Sequence, residues 1–242
     1  LTFKSAQKIC KEKKVSFGIP QMKTLGMMTK DTMYTNLGLL LSDLCFHTIK
    51  VAVFQGINQN EFKDRKEFTG SLFKQMEDVY EYIDFRNPMH SSFDKLYRID
   101  TREYPEVAIR EALLNLIVHR EYSFSASTFI SIYSNRIEFT SVGGLANGIS
   151  YNDLTMGISV CRNPKLANIF YRLNLIEAYG TGIQKIMNSY EGFDCKPAIQ
   201  ISDNAFKIIL PNRNSFDSKE ESDEEKVISY ITSKKTITRK EI

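Results

Sequence analysis

The sequence predicts a mixed α/β (α+β) fold, and three observations carry that expectation. Stretches with helical apolar spacing alternate with short runs of strand character along the 242 residues. Two of those runs, at 129–140 and 198–210, are pairs of strands joined by tight polar turns. The chain is 42% hydrophobic and 25% charged, enough to bury a sizeable core and to keep a polar surface.

Residues 5–14 read as a short basic helix, Asn36 to Leu44 as an apolar helix, and His47 to Phe54 as a strand with Ile49, Val51 and Val53 alternating. Helical spacing then recurs from Glu67 to Ile83 at Phe68, Leu72, Met76, Val79 and Ile83, and stops at the breaker Asn87-Pro88. These segments form an N-terminal α/β unit over 1–103. A second unit, 104–211, opens at Tyr104-Pro105, where proline suits a first helical turn whose amide has no partner. Its helix runs to about Arg120. Strands at Phe129–Tyr133 and Ile137–Thr140 follow, joined by Ser134-Asn135-Arg136 and leading into Gly143-Gly144. Asn163-Pro164 marks an N-cap and another helix, Gly182 begins a further one, and strands at Ala198–Ile201 and Ala205–Leu210 close the unit at Pro211.

The stretch 212–225 is acidic and almost without apolar residues, which reads as a solvated linker. Val227, Ile228 and Ile231 then recur at helical spacing, and Thr238 with Glu241 forms a capping-box pattern. Residues 226–242 therefore read as the start of a helix-turn-helix, and this end of the chain resembles the start of a winged helix. The first residue is Leu1 rather than methionine, so a piece of a longer chain is expected.

No apolar run approaches the ~20 residues that span a bilayer. Cys10, Cys45, Cys161 and Cys195 are far apart in sequence and suggest neither a zinc site nor a disulfide framework, so a cytoplasmic location is expected. Net charge is +3 but segregated. Residues 1–30 hold seven lysines against Glu12, while 217–225 hold six acids against Lys219. A basic end can favour phosphate backbones through counterion release, or be a solvated helix face.

The residues that could carry chemistry lie in the second unit. Glu111, Asn115 and His119 recur every four residues and so share one helix face, opposite Ile109, Leu113, Leu116 and Ile117. Such a stripe suits the wet side of an amphipathic helix. It also suits a site in which Asn115 ligates a hard cation such as magnesium and Glu111 acts as general base on water. Ser141-Val142-Gly143-Gly144 could let a ligand approach the backbone, or be an ordinary loop. Gly180-Thr181-Gly182-Ile183 at a helix start offers amides and a hydroxyl to a phosphate, or is a helix-linking turn.

The segments Tyr104-Pro105-Glu106, Glu111 to Asn115, His119-Arg120-Glu121-Tyr122, Gly143-Gly144-Leu145, Arg162-Asn163-Pro164 and Gly180 to Ile183 resemble the transcriptional regulators with Schlafen-like, AlbA-type DNA-binding domains. The resemblance is strong over 104–211. That module is similar to the RecG-like C-terminal domain and to the Bergerat ATP-binding fold, a two-layer α/β sandwich. The resemblance implies ATP and magnesium as cofactors, Glu111 as general base and Asn115 as magnesium ligand. It further implies that His119, Ser141, Gly143, Gly144, Arg162, Asn163 and Gly180 to Ile183 bind nucleotide. The segment 145–162 is the implied lid, with Arg162 reaching either a phosphate or a structural carboxylate. Ser141-Val142 departs from the Bergerat pattern, which has an aspartate before the glycine pair. The chain carries no Walker-type loop, so a helicase role has no P-loop behind it. The implied function is a nucleotide-sensing core that couples ligand state to flanking DNA-binding domains, with a slow ATPase or a non-binding dimerisation scaffold as alternatives. DNA is met through the flanks, and a homodimer is the expected assembly.

Overall fold

The computed structural model describes residues 1–146, 148–158, 160–177 and 180–215. The winged-helix start expected at 226–242 and most of the linker lie outside the described residues. Three short helices open the chain: α1 (Lys4–Glu12), α2 (Ile19–Thr24) and α3 (Asn36–Leu41). They lead to the strands β1 (Ile49–Phe54) and β2 (Phe62–Phe68), the helix α4 (Leu72–Asp84) and a hairpin of β3 (Met89–Asp94) and β4 (Tyr97–Arg102). Helix α5 (Glu106–Val118) precedes a second hairpin, β5 (Thr128–Ile132) and β6 (Arg136–Val142). Helices α6 (Tyr151–Thr155), α7 (Pro164–Arg172) and α8 (Gly182–Asn188) come next, and the hairpin of β7 (Ala198–Ser202) and β8 (Ala205–Pro211) is last.

Six strands form one sheet in the order β2-β1-β5-β6-β8-β7. Every pair in it is antiparallel except β1 with β5, which runs parallel in the register Val51 to Ile130. The cross-strand row Val51, Ile130, Phe139 and Ile208 is buried, because alternate side chains of each strand point to the helical side. Their neighbours Phe129, Ser131 and Lys207 point the other way and stay partly or largely exposed. Helix α4 packs over β1 and β2, and α5 over β6 and β8, so the fold is the mixed α/β architecture the alternation predicts.

The sheet runs across the boundary expected at residue 103. β1 and β2 come from before it, β5 to β8 from after it, and one apolar core extends from Phe3 to Leu210. The knot that joins the two parts is Arg120, whose side chain is 2% exposed. Its guanidinium donates to Thr128 Oγ1 at 3.0 Å, to His47 Nδ1 at 3.1 Å, to the Thr48 carbonyl at 3.4 Å and, in a short contact, to the Ala126 carbonyl. His47 is itself buried against the ring of Tyr122, and burial with the nearby Arg120 charge pushes its pKa down to about 4. The neutral imidazole is what accepts from Arg120.

Several expected boundaries move. The helix expected from Glu67 starts at Leu72, capped by Ser71, because Phe68 belongs to β2 and Gly70 turns the chain at φ +87°. The helix expected to reach Leu44 ends at Leu41, and that expected to reach Arg120 ends at Val118. The linker also begins later than residue 212. The Asn212 amide donates to the Asn135 carbonyl at 2.9 Å, and the Arg213 guanidinium lies 4.5 Å from the ring centre of Phe193. Among the described residues no helix is long and apolar enough to cross a membrane.

Replacing Arg120 by alanine removes the donor from four acceptors, of which the Thr48 carbonyl keeps the Thr128 amide at 3.1 Å. A loss of about 3 kcal/mol or more is expected in urea unfolding, against under about 0.5 kcal/mol for Arg65→Ala on the exposed strand β2. A second outcome concerns pH. His47 titrates lower in the folded protein than its ordinary 6.5, so between about 4 and 6.5 the unfolded chain binds the extra proton. Stability is expected to fall as pH drops through that window, and His47→Gln is expected to flatten the slope.

Candidate functional site

Helix α5 buries eight of its thirteen residues, so its wet face is narrow. Glu111, Asn115 and His119 form that face, and all three border a cavity of about 440 Å³. The end of β6 supplies Ser141, Gly143 and Gly144 to the same cavity, and the start of α8 supplies Gly180 to Ile183. The segment expected to be a lid lies over it with Ile149, Leu154, Ile158, Val160 and Cys161, apolar residues apart from the thiol, which burial pushes to a higher pKa. Arg162 closes that segment.

The carboxylate of Glu111 has one ion-pair partner and one close wall. One oxygen makes a short ion pair with Arg110, whose other Nη donates to the Leu175 carbonyl at 2.5 Å. The other oxygen lies 3.1 Å from where a Cβ on residue 182 would sit, so glycine at 182 makes room for it. Asn115 has no side-chain hydrogen bond among the described residues and is free to serve a ligand. His119 faces the same space, and burial with the nearby Arg162 charge lowers its pKa, so it stands there as a neutral imidazole.

Ser141 is 4% exposed, and its hydroxyl donates to the Leu116 carbonyl at 3.3 Å. It therefore pins β6 to α5 as well as bordering the cavity. The glycine pair owes its identity to packing. Gly143 sits at φ +100° with room for a Cβ only 2.8 Å from Glu121 Cβ, and a Cβ on Gly144 would stand 2.4 Å from the Ser202 carbonyl oxygen. Close approach of the protein's own backbone, more than access for a ligand, requires both.

Arg162 borders the cavity and Asn163 does not. Arg162 reaches a structural carboxylate, Glu121, at 2.9 Å, and also donates to the Gly144 carbonyl at 2.9 Å and that of Leu145 at 3.3 Å. Asn163 does not border the cavity, and its side chain does not cap α7. Its amide donates to the carbonyls of Val118 and Arg120 at 2.9 and 2.7 Å, satisfying acceptors left open at the end of α5. Thr181 likewise makes no cap bond, and α8 is only seven residues long.

Sequence reasoning missed two charged residues on the wall, Lys185 and Glu177, paired at 2.6 Å. Lys185 follows Thr181 by four positions, the spacing that puts both on one helix face, and that was the available signal. Among the described residues no group of three or more His, Cys, Asp or Glu side chains is placed to hold a metal ion alone.

Residues 126–210 match the family model described as "Putative ATP-dependent DNA helicase recG C-terminal". The match starts after α5, so it includes the Gly143 and Gly180 segments but not Glu111, Asn115 or His119. The stretch from β5 to β8 is thus similar to a RecG-like ATPase-fold domain. In structure the chain is similar to the DIP2311 protein of Corynebacterium diphtheriae, with a TM-score of 0.73 over 86% of this chain at 20% identity. That likeness concerns the fold. This chain covers 44% of the DIP2311 protein, less than half its length. Among curated proteins none matches the sequence.

Gly144→Ala tests the packing account of the glycine pair. It is expected to destabilise by about 2 kcal/mol, seen as a lower melting temperature, because backbone atoms on both sides must shift. Gly148→Ala, where a Cβ meets nothing within 4 Å but φ is +84°, is expected to cost less.

Proposed function

We propose that the cavity takes ATP together with magnesium, and that this chain is the nucleotide-sensing core of a transcriptional regulator whose flanking domains meet DNA. The observation that carries the reading is convergence: Glu111 and Asn115 on α5 and the Gly180–Gly182 backbone border one cavity of about 440 Å³. That volume lies within the range of small-molecule sites, roughly 300 to 1,000 Å³. The match of 126–210 to an ATPase-type family model supports the same ligand.

The charges on the wall argue for the divalent ion. Glu111 is paired with Arg110, Glu177 with Lys185, and Arg162 with Glu121. No bordering cation is left without a carboxylate partner among the described residues, so a triphosphate entering bare would add several negative charges with nothing to oppose them. A magnesium ion carried on the phosphates removes most of that cost. The Asn115 oxygen is the neutral, hard donor suited to complete its shell, and magnesium keeps waters for the remaining positions. The Gly180–Gly182 amides would meet phosphate oxygens, and the apolar lid residues would cover the base and exclude water.

A slow ATPase is the second reading, and the position of Glu111 favours it. Its carboxylate lies beside Gly182, where a phosphate on that loop would be, and could orient an attacking water.

Millimolar magnesium and ATP are expected to raise the melting temperature by several degrees, the rise vanishing with EDTA and in Asn115→Ala. No shift in the wild-type chain would overturn nucleotide binding altogether. The two readings separate on Glu111→Ala: a sensor keeps the thermal shift with no change in phosphate release, whereas an ATPase keeps the shift and loses release by roughly 100-fold.

A further inference from the structure

Among the described residues two side chains that border the cavity carry a lasting positive charge, Arg162 and Lys185, since His119 stands there neutral. They are held in different ways. Arg162 is 22% exposed and donates to Glu121 and to the carbonyls of Gly144 and Leu145, so moving it takes a donor from two backbone oxygens. Lys185 has one partner among the described residues, the Glu177 carboxylate at 2.6 Å. Its ammonium is a compact charge on a flexible stem and can turn to another acceptor without disturbing the backbone.

Glu177 also stays ionised with ease. Its carboxyl titrates below the usual carboxylate range, because the Lys185 ammonium bonds to it and the Arg110 charge and the Thr181 hydroxyl add to the effect. A carboxylate therefore already lies beside the first turn of α8, held by an ammonium and a hydroxyl whose residues are four positions apart on one helix face. The Glu177 side chain is nevertheless 61% exposed and that of Lys185 34%. An exposed pair of this kind adds little to stability, and the carboxylate regains water as soon as the ammonium leaves it. The side chains of Lys185 and Thr181 thus make a seat for an anion, filled by the protein itself and easily emptied.

We propose that Lys185 is a phosphate-binding residue held in reserve by Glu177, and that a phosphate of the bound nucleotide displaces the Glu177 carboxylate from it. The assignment rests on the cavity being a nucleotide site. Lys185 and Glu177 border the same cavity as Glu111 and Asn115, so the exchange takes place inside it. Arg162 keeps its three acceptors, and Lys185 trades one anion for another. Magnesium meets the rest of the phosphate charge, and the released Glu177 turns to water. Carboxylate and phosphate compete for one ammonium, so the empty site is latched by Glu177 and the filled site is not.

Titration calorimetry of the full chain with magnesium-ATP, and with adenosine as the phosphate-free probe, tests the exchange. Lys185→Met keeps the stem and removes the charge. It is expected to weaken ATP binding about 10- to 100-fold, the size of a lost hydrogen bond to a charged group, and to leave adenosine binding unchanged. Glu177→Gln is expected to act in the opposite direction, strengthening ATP binding at least about twofold because phosphate no longer has to displace a carboxylate. That gain is expected to vanish on the Lys185→Met background. Without ligand both single variants are expected to melt within about 2 °C of the wild type, so a change in affinity reports the site rather than the fold. An equal loss for ATP and adenosine in Lys185→Met, no loss for ATP, or weaker ATP binding in Glu177→Gln would overturn the proposal and leave nucleotide binding standing. So would a Glu177→Gln gain that persists without Lys185. A wild type that binds neither ATP nor adenosine would overturn the proposal and the nucleotide reading together.

Discussion

Helix α5 is buried on most of its circumference and yet carries a carboxylate, an amide and an imidazole at four-residue spacing. Polar side chains on a buried helix must find partners or water, because an unsatisfied buried group costs about 1 to 3 kcal/mol. Glu111 finds Arg110. Among the described residues Asn115 and His119 show no side-chain hydrogen bond, and closing the structure over them would strand both. The cavity beside α5 is therefore the condition under which this helix can be buried at all. The apolar lid residues can approach that wall but not fill it, and glycine at 182 leaves room for the Glu111 oxygen 3.1 Å away.

The last turn of the same helix fixes everything around the cavity. Asn163 closes the carbonyls of Val118 and Arg120, which docks the start of α7. Arg120 reaches back to His47 and Thr48 and forward to Thr128, joining the entry to β1 with β5. Glu121 holds Arg162, which holds the carbonyls that follow the β6 strand. Four consecutive residues, Val118 to Glu121, thus set the distance between the sheet, the lid and α7. That is why the N-terminal third of the chain belongs to the same sheet.

These relations explain what the sequence could disclose. The α5 column and the hairpins β5–β6 and β7–β8 were legible because local pattern and burial agree there: buried Ile130 and Ile208 alternate with more exposed neighbours on half-buried strands. β2 was not legible. Its Lys63-Asp64-Arg65-Lys66-Glu67 run has no apolar alternation, since it is an edge strand on which charge discourages pairing with other chains. The hairpin β3–β4 was missed because its apolar residues lie on both faces and so give no period. Among site residues, the column and the Gly180 loop do meet in space, but Asn163 and Gly143-Gly144 look the same in sequence whether they serve a ligand or the protein's own backbone. Only distances separate the two cases: a Cβ 2.4 Å from the Ser202 carbonyl decides for packing.

The route out of the cavity is short and runs through α8. Its first residue, Gly182, borders the cavity beside Glu111, and seven residues at about 1.5 Å each carry the helix only some 10 Å. Just beyond its end, the buried hydroxyl of Tyr190 donates to the Pro211 carbonyl at 2.9 Å. Two residues later Arg213 is bonded to the Arg102 carbonyl at the base of the β3–β4 hairpin. A displacement of the Gly180–Gly182 loop as a rigid unit with α8 would carry Tyr190 with it, and with Tyr190 the end of β8. One helix and one hydrogen bond therefore join the cavity wall to the end of β8.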